Sequence, residues 1–90
     1  MNKRLHAYYS GSVHGVGFRY TAERAALSLN ITGWIKNMAD GRVELLCEGE
    51  EGILKEFTQK IDTIFKGYIK NSEFEWGKAT DEFNGFDIRF

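Results

Sequence analysis

A chain of 90 residues has room for one domain and one core, since a domain ordinarily takes roughly 100–200 residues, and residues 1–90 are read as a single domain. Hydrophobic residues at 42% and charged residues at 28% give an ordinary globular composition and exclude disorder as the default state. Twelve basic against thirteen acidic side chains leave a formal charge of -1, which does not support a general nucleic-acid or acidic-membrane binder and leaves room for a local positive site.

Residues 5–13 place Leu5, Ala7, Tyr9, Gly11 and Val13 on alternate positions, the period of a half-buried strand. The stretch Gly11-Ser12-Val13-His14-Gly15-Val16-Gly17-Phe18-Arg19 follows, with three glycines in seven residues. From Tyr20 to Leu29, Ala22, Ala25, Ala26 and Leu29 recur at helical spacing, Glu23 suits the first turns, and Asn30 and Gly33 read as stop or turn residues. Trp34 to Asn37 reads as a strand, Asp40-Gly41 as a tight turn, and Val43, Leu45 and Cys47 as one face of the returning strand. Beyond Gly49 to Gly52, the residues Ile53, Leu54, Phe57, Ile61, Ile64 and Phe65 form the apolar stripe of a second helix, expected to end at a left-handed Gly67. Ile69 to Trp76 reads as a strand of open register, and Phe86, Ile88 and Phe90 alternate again after Gly85. This order predicts an α+β, ferredoxin-like βαββαβ sandwich: an antiparallel sheet with two helices on one face and a short extra C-terminal strand. Such a fold hosts many unrelated functions, so function must come from a site.

The glycine-rich loop is the first place where chemistry fits. Glycine lets backbone N–H groups approach a ligand, and the helix behind the loop aims unpaired N–H groups and a partial positive charge at the same spot. That combination suits phosphate, and Arg19, at the entry to the helix, can grip two phosphate oxygens at once. The spacing excludes the common nucleotide loops: G-x-x-x-x-G-K-[ST] is absent, and Gly15-Val16-Gly17 leads to Tyr20 where G-x-G-x-x-G needs glycine. Asn37, at the end of its strand, is the second place. Its amide can hold and aim a water without titrating, or it can simply favour the turn. If the first strand and the Asn37 strand are sheet neighbours, the loop and Asn37 share an edge.

These residues carry a resemblance. The stretch from Gly11 to Arg19 resembles the first signature of the acylphosphatase family, G-x-V-Q-G-V-x-F-R. Gly33-Trp34-Ile35-Lys36-Asn37, with Gly41, Val43 and Gly49, resembles its second, G-W-x-x-N-x-x-x-G-x-V-x-x-x-x-x-G. The resemblance implies the ferredoxin-like fold and hydrolysis of the mixed anhydride of a carboxylic acid and phosphate. By position, Arg19 would bind the phosphate, Asn37 would place the attacking water, and the backbone around His14, Gly15, Val16, Gly17 and Phe18 would complete the cradle. Three residues depart from the pattern: His14 stands where the family has Gln, Tyr9 where an aliphatic residue is common, and Met38 where Thr or Ser often follows the Asn. The implied chemistry needs no cofactor and no metal, because the leaving carboxylate is already stable. The implied partner is a small acyl phosphate, with broad acyl tolerance.

Other residues have plainer readings. His6 and His14 lack companions at metal-ligand spacing, and His14 reads as loop packing or a surface residue, with a general base as the alternative. Cys47 lies on the apolar rhythm of its strand and reads as a small buried hydrophobe; alone, it makes no internal disulfide. Asp40 reads as a turn former, and Glu48, Glu50 and Glu51 as an acidic approach to the second helix that suits its dipole. An RNA-recognition module shares the element order but needs aromatic residues on the third strand, and Arg42 to Gly49 has none. A regulatory domain that binds a phosphate compound without turnover is the closer alternative. With no leader pattern at its start and no long apolar run, the chain is expected to be a cytoplasmic monomer that binds neither nucleic acid nor membrane.

Overall fold

A computed structural model describes residues 1–90 as β1 (Asn2–Gly11), α1 (Phe18–Ser28), β2 (Thr32–Asn37), β3 (Val43–Glu50), α2 (Glu51–Ile64), β4 (Ile69–Lys78) and β5 (Phe86–Arg89). One sheet holds all five strands in the order β4-β1-β3-β2-β5. The first four run antiparallel to their neighbours, and the extra strand β5 joins parallel to β2, with Ile88 opposite Ile35. This is the ferredoxin-like α+β fold. Alternation puts Leu5, Ala7, Tyr9, Ile35, Val43, Leu45 and Cys47 on the covered face, all fully buried. They meet Ala22 and Ala26 of α1 and Leu54, Phe57 and Ile61 of α2. Each buried leucine, isoleucine or phenylalanine contributes about 1.5–3 kcal/mol. The alanines of α1 let that helix sit close to the sheet.

The first strand and the Asn37 strand, which the fold read from the sequence allows as neighbours, are separated by β3. The tight turn pairs β2 with one side of β3, and β1 takes the other. Both still run antiparallel to β3, so their C-terminal ends reach the same edge, where Tyr9, Val43 and Asn37 lie in one row.

Four local expectations are corrected. Gly33 is no turn residue: it lies within β2 at φ 138°, and a Cβ there would stand 2.0 Å from the Leu46 carbonyl oxygen. Gly67 does not terminate α2 in a left-handed conformation. The helix closes at Ile64, with the Phe65 N–H donating to Ile61 O at 3.0 Å, and buried Phe65 anchors the end in the core. Ile64 itself is half exposed, because the stripe through Leu54, Phe57, Ile61 and Phe65 faces the sheet and Ile64 falls beside it.

Glu48 is the fourth. It does not approach α2 as a solvated acid but is 2% exposed, on the sheet face away from the helices. Segment 79–83 crosses over it, so its carboxylate accepts from Arg4 Nε at 2.8 Å, Thr80 N at 2.8 Å, Thr80 Oγ1 at 3.1 Å and Asp81 N at 2.9 Å. Glu50 and Glu51 do flank the start of α2. Asn30 ends α1 as expected of a stop residue: it is left-handed at φ 57°, and the Ile31 N–H returns to Ala26 O at 2.9 Å.

Candidate active site

The loop between β1 and α1 is held at its base by Val13, whose side chain is buried in the core. Gly15 (φ 76°) and Gly17 (φ 75°, ψ 20°) are both left-handed, and a Cβ on either would meet nothing within 4 Å. Glycine is therefore required there for backbone conformation, not for space. Gly17 is also the N-cap of α1, so the helix begins at Phe18, two residues before the expected Tyr20. Phe18 fixes that start by packing its buried ring on Tyr9 at 5.2 Å and Phe65 at 4.6 Å between centroids.

No side chain caps α1, and no acidic residue lies in its first turn; Glu23 falls beyond it. From Val13 to Tyr20, no backbone N–H donates a hydrogen bond within the protein. These donors, next to the positive end of a helix dipole, form a concave cationic surface suited to a phosphate group. Arg19 lies within the first helical turn. Its guanidinium stacks over the Phe90 ring at 4.9 Å from the centroid, and Nη1 donates to Arg89 O at 3.4 Å. It joins no ion pair, so its charge is not neutralised by a carboxylate.

Asn37 ends β2 and faces this surface. Its Oδ1 is enclosed and has no hydrogen-bond partner, an uncommon state for a buried polar atom. A depression of about 180 Å³ joins the parts, lined by Val13, Gly15, Gly17, Phe18, Arg19, Tyr20, Asn37, Ile88 and Phe90. The structure thus brings Gly15, Gly17, Phe18, Arg19 and Asn37 together. The side chains of His14 and Val16 stand outside: Val16 packs against the core, and the His14 Nε2–H donates to the Arg42 carbonyl at 3.0 Å.

Sequence reading missed Tyr20, Ile88 and Phe90 as lining residues. The alternation after Gly85 was the available signal, but it gives a strand and not its partner. Asp40, three residues from Asn37, is committed to its turn, accepting from Arg42 N at 3.1 Å and Arg42 Nε at 2.9 Å. Those bonds, the backbone one foremost, hold its carboxyl below the usual range. Burial pushes the Cys47 thiol up to about 12, which leaves it a core residue and no nucleophile. No group of three or more His, Cys, Asp and Glu side chains is arranged to hold a metal ion. A larger depression, of about 440 Å³, lies among Lys3, Glu51, Lys55, Trp76, Gly77 and Lys78. There Glu51 pairs with Lys55 at 3.1 Å, and no enclosed polar atom is left unpartnered, so size alone does not make it the site.

Comparison with known proteins gives the family and the fold. The family model described as Acylphosphatase matches residues 5–88. A protein of Salinibacter ruber named acylphosphatase is 36% identical, over 97% of this chain and 93% of that relative. One of Caldanaerobacter subterraneus subsp. tengcongensis with the same name is 37% identical, over 98% and 99%. The crystal structure of acylphosphatase from Bacillus subtilis superposes with a TM-score of 0.89 at 28% identity, covering 98% of this chain and 99% of that one. No helix is long and apolar enough to cross a membrane.

Proposed function

This chain belongs to the acylphosphatase family, and from that premise we propose how its own residues carry out the reaction. The substrate is a small acyl phosphate, and hydrolysis gives a carboxylate and inorganic phosphate. Arg19 and the free N–H groups from Gly15 to Tyr20 hold the phosphoryl oxygens. Asn37 Oδ1 accepts an O–H of one water and aims its oxygen at phosphorus, opposite the leaving carboxylate. Water forms the new P–O bond, the bond to the carboxylate oxygen breaks with its electron pair, and the water's proton passes to solvent or to the phosphate formed.

Positioning and charge are sufficient here because the leaving carboxylate needs no protonation. The observation that carries this reading is the unpartnered Asn37 Oδ1 on the same depression as unpaired backbone donors and an unneutralised arginine. Tyr20, Ile88 and Phe90 give that depression an apolar rim, which supports tolerance of aliphatic and aromatic acyl groups. We read the working unit as a cytoplasmic monomer that needs no cofactor and acts on neither nucleic acid nor membrane.

Hydrolysis of benzoyl phosphate in EDTA, with Arg19→Ala and Asn37→Ala assayed beside the wild type, tests this. We expect turnover by the wild type and its loss in both folded variants. A folded wild type that binds phosphate and gives no turnover above buffer would overturn the reading in favour of a binding domain.

A further inference from the structure

Between the Ser12 N–H, which donates to Tyr68 O at 2.8 Å, and the Gly17 C=O, which accepts from Thr21 N at 3.0 Å, the phosphate-binding loop makes no backbone hydrogen bond. Its sole polar tie in that interval is the His14 imidazole, whose Nε2–H donates to Arg42 O at 3.0 Å. The same carbonyl accepts the Met38 N–H at 2.7 Å, and Met38 directly follows Asn37. The turn carrying them has its own ties, from Gly41 N to Met38 O at 3.1 Å and between Asp40 and Arg42. One carbonyl oxygen therefore joins the two halves of the site.

We propose that His14 is a positioning residue: by bonding to the Arg42 carbonyl it fixes the spacing between the loop that holds phosphate and the amide that places water. This rests on the roles proposed above for the loop and Asn37. A loop that leaves its N–H groups free for a ligand gives up the hydrogen bonds that would otherwise fix it, and the imidazole supplies one from outside the depression. In-line attack is sensitive to this spacing, since a misplacement of about 1 Å can cost about a hundredfold in rate. His14 is not among the residues that line the depression, so its role runs through this bond and not through contact with the substrate.

The test combines kinetics and NMR on the whole chain. With benzoyl phosphate, His14→Ala should lower kcat about tenfold and move KM less, and His14→Gln, whose amide N–H can reach the same carbonyl, should recover most of the loss. In an Asn37→Ala background, His14→Ala should cost little more, because the two act through one geometry. Wild-type kcat in His14→Ala, no recovery in His14→Gln, or full multiplication of the two losses would each overturn the proposal. Independently, nitrogen-15 NMR of the wild type should show the His14 proton on Nε2, with scalar coupling across the bond to the Arg42 carbonyl. A neutral His14 protonated on Nδ1 alone would overturn it whatever the kinetics. If Asn37→Ala is fully active, the water-placing role fails, and the NMR signature with the Ala and Gln pair still decides the tie.

Discussion

Two enclosed polar groups on adjacent strands, the Glu48 carboxylate and the Asn37 amide oxygen, have opposite surroundings. Glu48 on β3 is enclosed and meets four donors, from Arg4, Thr80 and Asp81. Asn37, at the far end of β2, has an enclosed oxygen with no donor. Burying a polar group costs free energy that its hydrogen bonds must offset; the satisfied carboxylate belongs to the fold, whereas the unsatisfied amide oxygen lines a depression and is free to meet a ligand in the proposed mechanism. The contrast extends to the neighbours. Around Glu48 the backbone N–H groups of Thr80 and Asp81 are used, whereas from Val13 to Tyr20 none is.

Removing a group at each end should therefore break different properties. Arg19→Ala should lower kcat/KM by about 100-fold or more, the usual cost of one preorganised donor, and leave the melting temperature nearly unchanged. Steady-state kinetics beside calorimetry checks both halves. Glu48→Ala should do the reverse: it leaves Arg4 and two backbone donors without their partner and should destabilise by about 3 kcal/mol. At about 4–8 °C per kcal/mol, that is a drop of more than about 10 °C by calorimetry, with a smaller loss of rate in the folded protein at low temperature than Arg19→Ala gives.

The same carboxylate predicts a pH dependence. Burial tends to raise the Glu48 carboxyl, and the bonds from Thr80, Arg4 and Asp81 outweigh it, so the group sits below its ordinary value. A carboxyl depressed on folding stabilises above its unfolded pKa, about 4.3, and that stability disappears as pH falls through the lower folded value. Acid melts should show the wild type losing stability below about pH 4 and Glu48→Gln losing less across the same interval. An identical acid slope in the variant would place the effect on other carboxyls.

Tyr9 sharpens the comparison, because its hydroxyl is also buried and unpartnered, yet it lies in the core against Phe18 and Phe74. Burial raises its phenol, so it stays neutral. Tyr9→Phe should keep activity and raise stability by up to about 1 kcal/mol, since it removes a desolvated group and leaves the ring. A lower melting temperature would show that the hydroxyl has a partner in solution.

What the sequence could tell followed the range of its signals. Strand and helix periods gave the element order, and the glycine-rich loop with Arg19 and Asn37 marked the parts of the proposed site that the structure brings together, because those features are local. Glu48 was misread because Glu50 and Glu51, close by in the chain, make it look like part of a solvated acidic run; its partners Thr80 and Asp81 lie more than thirty residues away. Ile88 and Phe90 were missed for the same reason, since alternation does not say that β5 will pair with β2. Gly33 looked like a turn because the close approach that requires glycine is made by the Leu46 backbone on another strand.

The central claim is that unsatisfied donors at the β1–α1 edge, and not the largest depression, form the phosphate site. A titration of the nitrogen-15-labelled wild type with inorganic phosphate tests it most directly. We predict shifts in the backbone amides from Gly15 to Tyr20 and in the Asn37 side-chain amide, and none around Lys3, Lys55, Trp76 and Lys78. Shifts gathered at those lysines and Trp76, with the loop unmoved, would contradict the account.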